Sequence, residues 1–196
     1  RSIMLSPTAS GKSFIIYLIV NYLLEKQGHE RGLVIVPKIS LVEQLYTDFE
    51  DYSVNNKFDT EKMCHKIYQG ADKKSTKPIT ISTWQSIYTL PKSYFHQFDF
   101  VIGDEAHEFK AKSLIHIMTN LENASFRLGT TGTLDGTKTH EWVLEGLFGP
   151  TRRVISTKEL MDQKHVADFN IKCLLLKHPE EACKAAKKFS YQEEMD

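Results

Sequence analysis

Short apolar runs recur along this chain, each followed by a longer stretch with apolar residues three or four positions apart. The runs at 3–5, 33–36, 79–82, 98–103 and 126–130 predict buried strands. Residues 63–68, 153–156 and 169–177 predict three more. Between them the spacing predicts helices over 13–26, 40–52, 84–90, 113–121, 139–148, 158–162 and 179–188. Leu41, Gln44, Leu45 and Phe49 fall on one helical face. Ser40 and Thr157 read as N-caps, Gln27-Gly28 as a stop, and Pro91 and Gly149-Pro150 as breakers. Residues 51–61 and 70–78 are polar and read as loops, and 191–196 as the start of a connector. Strands alternating with helices predict an α/β fold, a mostly parallel sheet with helices on both faces.

Two polar segments sit where this alternation places chemistry. Ser6-Pro7-Thr8-Ala9-Ser10-Gly11-Lys12-Ser13 follows the first strand and opens the first helix. Its end has the form of a phosphate-binding P-loop. Backbone N–H groups of Thr8, Ala9, Ser10 and Gly11 can converge on an anion at a helix N-terminus. Lys12 can reach β- and γ-phosphates, and the Ser13 hydroxyl can ligate Mg²⁺. Ser6 stands where the pattern usually has its first glycine. Alone, the segment also fits an ordinary turn capped by Ser10. The second segment, Asp104-Glu105-Ala106-His107, leaves the strand at 98–103. Asp104 can hold Mg²⁺, and Glu105 can deprotonate an attacking water. Alone, it also fits a solvated acidic turn. Both in this order, each after a strand, favour a nucleoside-triphosphate site.

Together the two motifs resemble a superfamily 2 helicase of the DEAD/DEAH-box class. Residues 33–44 resemble its motif Ia, Gln69-Gly70 its motif Ib and residues 81–86 its motif Ic. Residues 128–134 resemble motif III, with Thr131-Gly132-Thr133 in place of Ser-Ala-Thr. The resemblance covers nearly the whole chain. It implies a P-loop, RecA-like ATP-binding domain over 1–178, a connector over 179–196, and ATP with Mg²⁺ as ligands. It implies coupling roles for His107, Thr131 and Thr133. It implies nucleic-acid backbone contacts by Pro37, Lys38, Gly70, Thr83 and Gln85, with DNA favoured over RNA. Those residue types do not read base edges, so no sequence specificity is expected. The family's Gln-x-x-Gly-Arg-x-x-Arg motif is not found around any of the five arginines. The family carries it on a second RecA-like domain, so this chain is expected to be the first motor domain of a longer helicase. The family's glutamine segment before motif I is not found either.

Composition narrows the picture. The 196 residues suffice for one sizeable α/β domain. Lys plus Arg equal Asp plus Glu at 25 each, which excludes a basic coat but not a local nucleic-acid track. No apolar stretch is long enough to span a bilayer, so no membrane partner is expected. Cys64, Cys173 and Cys183 are an odd set without a Cys-x-x-Cys pair, which suits a reducing, cytoplasmic location. His65 beside Cys64 does not make a metal site. Lys73, Lys74 and Lys77 read as a solvated loop in preference to a phosphate-facing tip, and Trp84 as a core residue in preference to a base-stacking one. Two further readings stay open: an RNA helicase or restriction-type translocase subunit, and a non-catalytic nucleotide-gated binding module.

Overall fold

The computed structural model describes residues 1–68, 70–108, 111–134, 138–167 and 172–174. The chain divides into two compact units, Arg1–Val166 and Ala167–Asp196. The expected late strand falls largely outside the described residues, and the expected last helix and connector entirely so.

The first unit is built on a seven-stranded sheet: β1 (Ser2–Leu5), β2 (Gly32–Val36), β3 (Cys64–Ile67), β4 (Ile79–Thr83), β5 (Phe100–Gly103), β6 (Phe126–Thr131) and β7 (Thr151–Arg153). Every pairing is parallel, in the order β3-β4-β2-β5-β6-β1-β7. Successive side chains of a strand point to opposite faces, which sorts the core into two layers. Leu33, Ile35, Val101 and Ile3 face one layer. Val34, Val36, Ile102 and Met4 face the other. That is why these runs are apolar without alternation.

Helices α1 (Lys12–Lys26) and α2 (Ile39–Ser53) cover one face through Ile16, Tyr17, Val20, Leu23, Val42, Leu45 and Phe49. The single turn α3 (Thr60–Met63) follows them, starting at the end of the stretch expected to be loop and taking the first residue expected to be strand. The other face is covered from α4 (Trp84–Ile87), α5 (Lys92–Phe95), α6 (Ala111–Asn120) and α7 (Lys138–Phe148). Trp84 is buried in that layer, as expected. Helix α8 (Thr157–Asp162) closes the described part of this unit.

Three local expectations are corrected. Ser40 lies inside α2, which begins after an extended Lys38 with no side-chain cap. The strand expected at 153–156 is Thr151–Arg153, two residues earlier than its apolar pattern, because it registers with β1 through Ile3↔Thr151 and Leu5↔Arg153. Helix α8 is capped by Ser156, not Thr157, in a full capping box with Glu159. Gly32 is required by close approach. A Cβ there would lie 2.0 Å from the Phe100 ring on the neighbouring strand.

Candidate nucleotide site

The strand order places the ends of β5, β6 and β1 side by side. Each end carries one of the polar motifs read from the sequence.

The loop after β1 keeps sheet pairing for one more residue, since Ser6 N donates to Thr131 O at 2.9 Å. Ser6 is buried and its hydroxyl donates to Ser10 Oγ at 2.6 Å. The residue that departs from the usual glycine therefore braces the loop across its width. Two residues turn left-handed, Ala9 at φ 65° and Gly11 at φ 77°. Gly11 meets this at no steric cost, and a Cβ there would meet no atom within 4 Å. Gly11, not Ser10, is the N-cap of α1.

Lys12 turns back over the loop. Its Nζ lies 3.3 Å from Ser6 O, 3.4 Å from Pro7 O and 3.5 Å from Glu105 Oε1. None of these is as short as a well-made charged hydrogen bond. The ammonium is held in place yet free to trade partners. Its side chain is only 11% exposed, so a charge brought to it is weakly screened.

Asp104 follows β5, with its N–H donating to Ile35 O at 2.8 Å. Thr130 Oγ1 donates to Asp104 Oδ1 at 2.5 Å. Burial pushes the Asp104 carboxyl above its usual value, and the Thr130 hydroxyl pulls the other way. A carboxyl raised on folding stabilises the fold in its protonated form. That contribution is present below the ordinary carboxyl pKa and is lost as pH rises through the raised one. Asp104→Asn, which keeps an oxygen for Thr130, is therefore expected to stabilise the protein near pH 7.5 by about 1 kcal/mol, the usual size of such gains. The gain should shrink towards acid pH. Thermal melts of both proteins at pH 7.5 and pH 5 check this, and a gain independent of pH would contradict it.

Glu105 is left-handed at φ 47°. Outside glycine this costs about 1 kcal/mol and marks a position fixed by its surroundings. The turn aims Glu105 Oε1 at Lys12 and Oε2 at His107 Nδ1, 3.4 Å away. His107 Nδ1 is also 2.7 Å from Thr131 Oγ1. Thr131 spends its one proton on Thr133 O at 2.6 Å, so the proton between Thr131 and His107 belongs to the imidazole. His140, on α7, donates from Nε2 to the His107 carbonyl at 3.1 Å. One chain of polar contacts thus runs Lys12–Glu105–His107–Thr131–Thr133. A cavity of about 620 Å³ opens beside it, lined by Pro7, Thr8, Ala9, Glu105, His107 and Glu108 among others. One of about 740 Å³ adjoins it.

The Ser13 hydroxyl and the Asp104 carboxylate are hard oxygen donors, which suit Mg²⁺. Among the described residues, no group of three or more His, Cys, Asp or Glu side chains could hold a metal.

The residues named for nucleic acid stand apart from this cluster, on the same sheet edge. Pro37 and Lys38 follow β2, Thr83 ends β4, Gln85 lies in the first turn of α4, and Gly70 lies after β3. Those three strands adjoin in the order β3-β4-β2. Gln85 Nε2 donates to Pro37 O at 3.1 Å, joining two of these segments. Thr83 is buried, with Oγ1 2.8 Å from Ser86 Oγ. Lys38 pairs with Glu108 at 3.1 Å. Gly70 is exposed at φ 87°, and Gln69 lies outside the described residues. In the lysine loop, Lys77 bonds two backbone carbonyls, of Glu61 and Cys64.

Sequence reasoning missed Thr130, Glu108, His140 and Tyr52, which lies 2.9 Å from Ser13 Oγ. Thr130 was within reach. Tandem threonines at a strand end must face opposite ways, so only one can meet His107. Glu108 directly follows the acidic motif, but its partner Lys38 is remote in sequence. His140 and Tyr52 come from distant segments and leave no local signal.

Residues 1–136 match the model of the family described as Type III restriction enzyme, res subunit. The chain is 34% identical to the ATP-dependent DNA helicase uvsW of Enterobacteria phage T4, over all of this chain and 39% of that protein. It is 28% identical to the DNA 3'-5' translocase XPB2 of Sulfurisphaera tokodaii, over 89% of this chain and 36% of that one. It thus spans under two fifths of either relative. A crystal structure of the UvsW helicase from bacteriophage T4 superimposes with a TM-score of 0.69 at 35% identity, covering 79% of this chain and 54% of that one. The chain belongs to the family of the Type III restriction enzyme res subunit and is a superfamily 2 helicase motor domain of RecA-like fold.

Proposed function

We propose that this domain binds ATP with Mg²⁺ at the β5-β6-β1 edge and hydrolyses it to drive movement along nucleic acid, DNA in preference to RNA, held at the β3-β4-β2 edge. The observation that carries this reading is the contact chain Lys12–Glu105–His107–Thr131, which joins three separate motifs at one sheet edge. Thr8, Ala9, Ser10 and Gly11 shape the loop around the phosphates. Lys12 leaves its carbonyl partners for the β- and γ-phosphates and opposes the charge that builds on transfer. Ser13 and Asp104 would hold Mg²⁺, which neutralises phosphate charge when bound. Glu105 takes the proton of the attacking water. His107, Thr131 and Thr133 pass a change at Glu105 into β6 and the loop after it.

The cleft is completed, in this reading, by a second RecA-like domain that brings the arginine finger. Arg127 is not free to act as one. Its guanidinium bonds the carbonyls of Met118, Leu121 and Ala124 around the C-terminal end of α6. The two curated relatives, one named a DNA helicase and one a DNA translocase, support DNA as the track. The matching family description keeps a restriction-type translocase as the second reading.

The test is ATP hydrolysis by the domain joined to its second lobe, with duplex DNA, single-stranded DNA or RNA added. Stimulation by DNA well above RNA is expected, falling steeply with salt because the contacts are to phosphates. Stimulation by RNA alone would overturn the DNA assignment. No nucleic-acid stimulation at all would overturn the motor reading.

A further inference from the structure

The serine of the phosphate loop has a partner on another helix. Ser13 Oγ lies 2.9 Å from Tyr52 Oη, thirty-nine residues away on the last turn of α2. Tyr52 does not reach there by a free rotation. Its ring meets Phe14 edge-on at 5.0 Å and Tyr17 at 5.6 Å. Tyr17 is itself fixed against Phe49 and Phe58. Asn56 Nδ2 donates to the Tyr52 carbonyl at 3.0 Å. Packing therefore presents the phenol oxygen to the serine as part of the fold.

Either hydroxyl can donate in this pair. The choice matters once Ser13 serves a cation. An oxygen that gives a lone pair to Mg²⁺ must still place its own proton. Tyr52 Oη stands at hydrogen-bond distance and has acceptor capacity.

We propose that Tyr52 is a positioning residue for Ser13: its phenol oxygen accepts the serine proton and so fixes the serine lone pairs for the Mg²⁺ of a bound Mg–nucleotide. This rests on the nucleotide-site reading above. It assigns to α2, otherwise a core helix, a direct hand in the phosphate loop.

The test is calorimetric binding of ADP in Mg²⁺ and in EDTA, for the unaltered protein, Tyr52→Phe, Ser13→Ala and the double variant. Phe keeps the ring contacts and removes only the hydroxyl. Tyr52→Phe is expected to bind ADP about three- to tenfold more weakly in Mg²⁺, the scale of one hydrogen bond. In EDTA its affinity should be unchanged. In the Ser13→Ala background the second substitution should add nothing, as two steps of one interaction require. Equal affinity in Mg²⁺, an equal loss in EDTA, or additive losses in the double variant would each overturn the inference. If the unaltered protein binds ADP without regard to Mg²⁺, the metal assignment of Ser13 fails, and this inference with it.

Discussion

Lys12→Ala is expected to remove nucleotide-driven activity, lowering turnover by at least about a hundredfold, as loss of a preorganised charge-stabilising group does. The reasoning is geometric. The ammonium sits over the loop between two carbonyls and Glu105, at distances too long to anchor it there. It is mostly buried, so a phosphate brought to it would feel a weakly screened charge. Alanine removes that charge and leaves Glu105 facing the loop alone. A carboxylate there would repel the γ-phosphate, so binding should fall along with turnover. Calorimetric titration with Mg–ATP and a hydrolysis assay read the two effects separately. The fold should survive, because Lys12 contributes no core contact and the exchanged pair is partly solvated. Unchanged turnover in a folded variant would show that the phosphates lie elsewhere.

Glu105→Gln should separate binding from chemistry. Glutamine keeps the shape and the left-handed turn but cannot take a proton. Mg–ATP should still bind, and more tightly if anything, since one negative charge beside the loop is gone. Turnover should fall about a hundred- to ten-thousandfold, the usual worth of a general base. Single-turnover hydrolysis compared with equilibrium binding gives the answer. Near-normal turnover would remove Glu105 from the role of base and leave it as the link between Lys12 and His107.

The sequence by itself determined the class of fold and the principal motifs. Parallel strands buried on both faces tend to be apolar on both sides, so β1, β2 and β5 are legible as short runs, and β4 is legible from its isoleucines although Thr80 and Ser82 are buried as well. A phosphate loop needs glycine and lysine at a helix start, and a strand end supplies the acidic pair, so both motifs are local signals. Boundaries were less legible. The strand expected at 153 begins at Thr151, because register with Ile3 and Leu5 set it, and a partner strand cannot be read locally. The capping of α8 went to Ser156 because its carboxylate partner is Glu159, three residues on.

Only the tertiary structure decided which strand ends are neighbours. The order β5-β6-β1 brings residues from positions 12, 105, 107 and 131 into one chain of contacts. It decided that Thr130 serves Asp104 while Thr131 serves His107, since the pleat sends adjacent side chains to opposite faces. It gave Ser6 a bracing role across the loop. It also delivered Tyr52 to Ser13 from another helix. Hydrogen bonds between distant segments depend on how helices dock on the sheet, and docking is a property of the packed core, not of any one stretch of sequence.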